Sequence, residues 1–160
     1  MIESGSCCIL LANELKNSGK RMTIITNSTF MADFISPCNN IKLIIIGGEY
    51  QPESMAVVGV IASASLEPFY AKYFFSGTDG YRKGAGFTGD NPERCAVLRK
   101  MSQHAEKTVV ITQSRKFLQT GSMTVFSLND ADIVVTDCGL DATTEGELEK
   151  HNILIMKEGI

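Results

Sequence analysis

Histidine is scarce in this chain: two residues in 160, His104 and His151. Neither has a Ser, Cys or Asp at triad-like spacing, which removes the usual foundation for nucleophilic hydrolysis. Both fall near the ends of expected helices, where exposure and the negative end of the helix dipole suit an imidazole. The five cysteines, at 7, 8, 38, 95 and 138, are odd in number and match no zinc spacing. Cys7 and Cys8 are neighbours and cannot chelate well together. The expectation is five reduced thiols in a cytoplasmic protein, with no metal and no cofactor. No stretch approaches the length of a membrane span, and no secretory leader is visible. A basic excess is also missing, since the net charge is −3. Lys and Arg adjoin only as the pairs 20–21, 82–83, 99–100 and 115–116, so no broad nucleic-acid surface is expected. Gly84, Gly86 and Gly89 lack the strand–loop–helix frame of a dinucleotide fingerprint. There is no internal repeat, low-complexity tract or interdomain linker.

What remains is an ordinary composition, 44% hydrophobic and 21% charged, over a length that suits one domain spanning 1–160. Met1 and Ile2 read as the end of a strand, followed by a Glu3-Ser4-Gly5-Ser6 turn. Cys8, Leu11, Ala12 and Leu15 follow at helical spacing, with Ser6 as the expected cap. Because the sequence enters directly into a strand-to-helix turn, the expectation is that it is one part of a longer protein. Further strands are expected at 22–25, 43–46, 73–75, 108–112, 133–136 and 153–156. Helices are expected at 29–35, 61–66, from Pro92 onward, and 143–150. In the helix after Pro92, Arg94 lies on the apolar stripe with Leu98, Met101 and Ala105. Residues 122–126 are ambiguous, and 49–60 read as an excursion toward a neighbouring segment or subunit. Strands alternating with helices predict an α/β fold, a mostly parallel sheet with helices on both faces.

In such sheets ligands gather at the carboxyl ends of the strands. Here those ends carry Thr26-Asn27-Ser28, Gly47-Gly48, Gly77-Thr78-Asp79-Gly80 and Gln113-Ser114-Arg115-Lys116. The stretch 73–93 reads as a buried aromatic strand running into a long glycine-rich loop, where backbone can approach a polyhydroxy or phosphorylated ligand. Ser4, Gly5 and Ser6 at a helix N-terminus supply the ingredients of an anion site, although plain capping accounts for Ser6 equally well. The pattern predicts one crevice of small hydroxyls, amides, a carboxylate and a lysine, which is chemistry for a sugar phosphate.

The order Glu-Ser-Gly-Ser-Cys-Cys, Thr-Asn-Ser, Gly-Gly-Glu-Tyr, Gly-Thr-Asp-Gly, Asn-Pro-Glu, Ser-Arg-Lys-Phe and Thr-Asp resembles the C-terminal sensor domain of DeoR-family bacterial transcriptional regulators. The resemblance runs over nearly the whole chain. It implies a fold related to ribose-5-phosphate isomerase and the CoA-transferase-like proteins. It also implies a repressor's effector-binding domain for a phosphorylated sugar or related metabolite. DNA would be met only through an N-terminal winged helix-turn-helix that this sequence does not contain. Self-association as a dimer or tetramer is expected, because palindromic operators need symmetric partners.

By this resemblance Ser4, Gly5, Ser6 and Lys116 hold phosphate, while Thr26, Asn27 and Ser28 meet hydroxyls or phosphate. Asp79 accepts from a sugar hydroxyl, as does Glu93 from the loop side, with Gly47, Gly77 and Gly80 nearby. The chain departs from the family's Asp-Ser-Gly-Thr-Thr at Glu3 and Cys7, and from Asp-Ser-Ser-Lys-Phe at Gln113. It also has Leu98 where the family often has lysine. An isomerase would use Asp79 or Glu93 as base. The missing lysine favours recognition, not catalysis. A pure assembly module, with 49–60 as a dimer arm, is the third reading.

Overall fold

The structure, a computed structural model, describes residues 1–158. Gly159 and Ile160, the last two of the expected 1–160 domain, lie outside the described residues. In chain order the first elements are α1 (Ser6–Asn17), β1 (Met22–Thr26), α2 (Thr29–Ile35), β2 (Ile41–Ile45), β3 (Glu49–Gln51), β4 (Ala56–Val58) and α3 (Gly59–Ser65). Then come β5 (Ala71–Ser76), β6 (Gly80–Arg82), β7 (Gly86–Gly89), α4 (Pro92–Gln103), β8 (Ala105–Ile111), β9 (Met123–Ser127), β10 (Ile133–Asp137), α5 (Ala142–Lys150) and β11 (Leu154–Glu158).

The central sheet is parallel. Its order is β2–β1 on one side and β5–β8–β10–β11 on the other. The first three residues join these halves. Ile2 bridges in parallel to both Thr26 and Phe75. Its N–H donates to Ile25 O at 2.9 Å, Glu3 N–H donates to Phe75 O at 3.1 Å, and Phe75 N–H donates to Met1 O at 2.9 Å. Side chains alternate across the sheet, so adjacent strand residues serve opposite cores. Ile2, Ile24 and Phe75 pack with Cys8, Ala12, Met31 and Ile35 of α1 and α2. Met1, Ile25, Phe74, Val110 and Val134 face the other way, onto Ala62 of α3, Cys95, Leu98 and Met101 of α4, and Leu148 of α5. Both faces are covered, which is why these strands read as continuous apolar runs.

Three expectations change in detail. The stretch after β5 is not an open loop. β6 and β7 form an antiparallel hairpin, and β9, the ambiguous 122–126 segment, adds a third strand. Its cause is aromatic burial: Tyr81 and Phe87 lie 5.5 Å apart edge to face, and Tyr81 lies 5.2 Å from Phe117. The 49–60 excursion is likewise a hairpin, β3 against β4, turned through a 3-10 segment at Pro52–Ser54. His104 is buried where exposure was expected: its Nδ1 lies 3.0 Å from Phe69 O, and its ring stacks on Tyr70 at 5.0 Å. At the end of α4, it turns the chain into β8 with its polar edge satisfied. His151 is exposed as expected.

Phe74 is fully buried and meets Phe126 edge to face at 6.0 Å, so it ties the central sheet to the antiparallel one. Phe74→Ala is expected to cost about 3–5 kcal/mol of unfolding free energy, read as a lower urea midpoint at an unchanged m-value.

Candidate functional site

The carboxyl edge of the sheet opens into a cavity of about 130 Å³ between β5, β8, α1 and α4. Its floor is an ion-paired ladder. Glu3, at the end of the central bridging segment, has a side chain with no exposure. Its Oε1 accepts from Gly77 N–H at 2.8 Å and its Oε2 accepts from Arg94 Nη2 at 2.9 Å. Arg94 Nη1 reaches on to Asp79, at 3.3 Å to Oδ1 and 3.1 Å to Oδ2. Arg94 Nε is buried and has no hydrogen-bond partner among the described residues. Burial alone would weaken the guanidinium's hold on its proton, but Glu3 and Asp79 outweigh it and keep its pKa above the ordinary arginine value. Burial, reinforced by the nearby Glu3 charge, pushes the Cys8 thiol well up, so Cys8 stays a protonated core residue.

Two glycines make the ladder fit. A Cβ on Gly5 would meet Glu3 Oε1 at 2.2 Å, and one on Gly77 would meet it at 3.1 Å. The close backbone approach seen at Gly5 and Gly77 is to a carboxylate of the protein itself.

Over this floor stands the N-terminus of α1. Its N-cap is Gly5, not Ser6, and no side chain caps it. Ser6 and Cys7 of the first turn line the cavity. The opposite wall is the segment after β8, with Gln113, Arg115 and Lys116. Arg115 Nε donates to Gln113 Oε1 at 2.7 Å. Lys116 is partly exposed and has no carboxylate within ion-pair distance among the described residues. Asp137 sets this segment, accepting from Ser114 N–H at 2.9 Å and Gly139 N–H at 2.9 Å. Bonds from Ser114, side chain first and then backbone, hold the Asp137 carboxyl below the ordinary aspartate range.

Of the residues expected at one crevice, Gly5, Ser6, Gly77, Asp79 and Lys116 line this cavity. Ser4 adjoins it without lining it. Thr26, Asn27 and Ser28 do not reach it and have no exposure. The β3–β4 hairpin closes over them: Val57 N–H donates to Asn27 O at 2.8 Å and Thr29 N–H donates to Met55 O at 2.9 Å. Ser28 caps α2 by accepting from Met31 N–H at 3.2 Å. Gly47 lies apart, beside Ser65. Gly80 is packed against the Gln119 backbone, where a Cβ would come within 2.5 Å of its oxygen. Glu93 faces a different, apolar groove with Val58, Val60, Ile61 and Pro92. Arg94 escaped the sequence reading as a site residue. Its signal was there: a charge on the buried stripe of α4 requires a buried partner.

A family model described as the DeoR C terminal sensor domain matches residues 1–138. Among curated proteins, a putative aga operon transcriptional repressor of Escherichia coli O157:H7 is 23% identical over 159 residues, covering 99% of this chain and 59% of the relative. An L-fucose operon activator of Haemophilus influenzae is 24% identical over 132 residues, covering 82% and 53%. The HTH-type transcriptional regulator IolR of Bacillus subtilis is 25% identical over 152 residues, covering 95% and 60%. The chain thus spans a little over half the length of these relatives.

Arg94→Met is expected to destabilise the fold by about 3–5 kcal/mol, because it strands the buried Glu3 without its cation. Glu3→Gln in the same background should recover part of that loss in urea unfolding. For Asp137 the lowered pKa fixes the sign: its contribution is complete above the ordinary aspartate pKa and disappears as pH falls through the lower folded value. The Ser114 amide should therefore keep its hydrogen-exchange protection at neutral and mildly acid pH. In Asp137→Asn it should lose protection already at neutral pH.

Proposed function

This chain belongs to the DeoR C-terminal sensor-domain family, and from that premise we propose that it is the effector-binding domain of a transcriptional repressor. Its effector is a phosphorylated sugar or a related metabolite, held in the cavity beneath α1. The observation that carries this reading is the juxtaposition of an uncapped α1 N-terminus with Lys116, a cation free of carboxylate partners among the described residues, across a cavity floored by Asp79. Free N–H groups, the positive end of the helix dipole and a lysine converge there on one anion. Gly5, Ser6 and Lys116 hold the phosphate, and Asp79 accepts from a hydroxyl. Effector occupancy then changes operator affinity through a helix-turn-helix elsewhere in the longer protein, which acts in the cytoplasm where its DNA lies.

Recognition is favoured over isomerisation on two grounds. Both oxygens of Asp79 are already engaged by Arg94, which suits a fixed acceptor better than a base that must take and return a proton. Leu98, where an enediolate-stabilising lysine would be wanted, is a core residue at 2% exposure. Self-association as a dimer or tetramer belongs to the same reading. The β3–β4 hairpin and α3 expose Tyr50, Met55, Val60 and Ile61, an apolar face suited to a second copy.

A thermal-shift screen tests the proposal. Phosphorylated pentoses and hexoses at 100 times Kd should stabilise the domain by about 2.7 kcal/mol, and the unphosphorylated sugars should not. Lys116→Ala should weaken binding by roughly tenfold or more, since charged hydrogen bonds contribute ~1.5–3 kcal/mol. The melting temperature of its ligand-free form should stay unchanged. A shift as large with the variant as with the wild type removes the phosphate role of Lys116. No shift with any phosphate ester removes the proposal.

A further inference from the structure

We infer that this cavity is electrically two-ended, and that it selects singly phosphorylated ligands whose far end carries hydrogen-bond donors, rejecting those with a second anionic group. The inference rests on the reading of the cavity as a phosphate-ester site and specifies the class of ester it accepts.

The basis is the placement of charge along the lining. Five charged side chains contribute: Glu3, Asp79, Arg94, Arg115 and Lys116. They are not mixed. Glu3, Arg94 and Asp79 form one continuous ladder with two carboxylates and one guanidinium, so that end is negative by one charge. Arg115 and Lys116 stand on the segment after β8 without a carboxylate partner among the described residues, facing the uncapped first turn of α1. One anionic group is therefore attracted to the second end and has nothing to gain at the first.

Arg94 is the residue that would most readily have received a second anion, but both of its terminal nitrogens are committed within the ladder, and its one unpartnered nitrogen, Nε, is buried. Nη2 is given to Glu3 and Nη1 is shared between both oxygens of Asp79. Recruiting Arg94 to a ligand carboxylate or second phosphate would strip a cation from Glu3, whose side chain has no exposure and whose other partners are Gly77 N–H at 2.8 Å and the Cys8 thiol at 4.0 Å. A buried carboxylate left with only neutral donors is costly. Asp79 is the opposite case. Its side chain is 37% exposed, so it keeps accepting capacity on its cavity side while Arg94 fixes its plane. A carboxylate so held accepts from hydroxyls or an ammonium and repels an anion. Asp79 is thus the specificity-determining residue and Arg94 the residue that positions it.

Calorimetric titration of the wild-type protein with matched pairs tests this: glucose 6-phosphate against 6-phosphogluconate, fructose 6-phosphate against fructose 1,6-bisphosphate, and ribose 5-phosphate against ribose 1,5-bisphosphate. In each pair whose first member binds, the partner with a second anionic group is expected to bind at least tenfold more weakly. Asp79→Asn, with its melting curve measured alongside, keeps the shape and removes the charge, and should narrow that gap to less than threefold. Equal or tighter binding of the partners with two anionic groups overturns the inference while leaving a phosphate-ester site in place. So does a gap that persists in Asp79→Asn, since shape would then explain it. If no phosphorylated ligand binds, this inference and the reading beneath it fall together.

Discussion

The contact on which the rest of the structure turns is the one between Arg94 and Glu3. It joins three pieces of chain that sequence separation keeps far apart: the bridging segment at the sheet's centre, the tip after β5 through Asp79, and the first turn of α4. Burying a guanidinium and a carboxylate is expensive, and attraction repays it only where geometry is good and the remaining polar atoms find donors. Glu3 meets that condition through Gly77 N–H, and only because neither Gly5 nor Gly77 has a side chain to intrude. Arg94 meets it less fully, since Nε is left without a partner. The ladder is therefore better understood as a device that fixes positions than as a source of stability. It holds the floor of the cavity still while the charged groups above it remain available.

The layered architecture was legible because the inner strands carry stretches that are covered on both faces. Ile24–Ile25 and Phe74–Phe75 must be apolar at consecutive positions to serve two cores, and that run is a strong local signal. The start of α4 was legible at Pro92, and the residue before it, Asn91, caps the helix by accepting from Arg94 N–H at 2.8 Å. What stayed hidden depends on contacts between distant segments. The antiparallel sheet of β6, β7 and β9 is assembled by Tyr81, Phe87 and Phe117, and nothing in the spacing of the glycines announces it. His104 was misjudged because its partner, Phe69 O, lies 35 residues away.

The candidate site divides on the same principle. Small polar residues after a strand mean one of two things, and sequence does not separate them. At Thr26–Ser28 they are consumed internally: Thr26 Oγ1 accepts from Ser28 N–H at 3.0 Å, Ser28 caps α2, and Asn27 donates to Val57 O at 3.4 Å beneath the β3–β4 hairpin. At Gly5-Ser6 they are not. The first turn of α1 receives no cap from its own chain and looks into open space. The difference lies in the hairpin, an element inserted between β2 and α3 that covers one tip and leaves the other free.

That asymmetry explains why a parallel sheet, which brings every strand's carboxyl end to one edge, has its charged cavity at only part of that edge. An anion site needs donors that the protein has not already satisfied, and it needs them where solvent or ligand can enter. On the β1 side the polar groups are sealed beneath the β3–β4 hairpin. On the β5–β8 side, Lys116 and the α1 turn remain unspent, and the ladder below supplies rigidity without competing for an anion. α3 also lacks a side-chain cap, but its first turn borders the apolar groove lined by Val58, Val60 and Ile61, where no lysine or arginine stands to assist it. On the proposed reading a helix terminus serves recognition only together with the cations placed opposite it, and Asp137, which accepts from Ser114 N–H in the segment that carries Lys116, belongs to that placement.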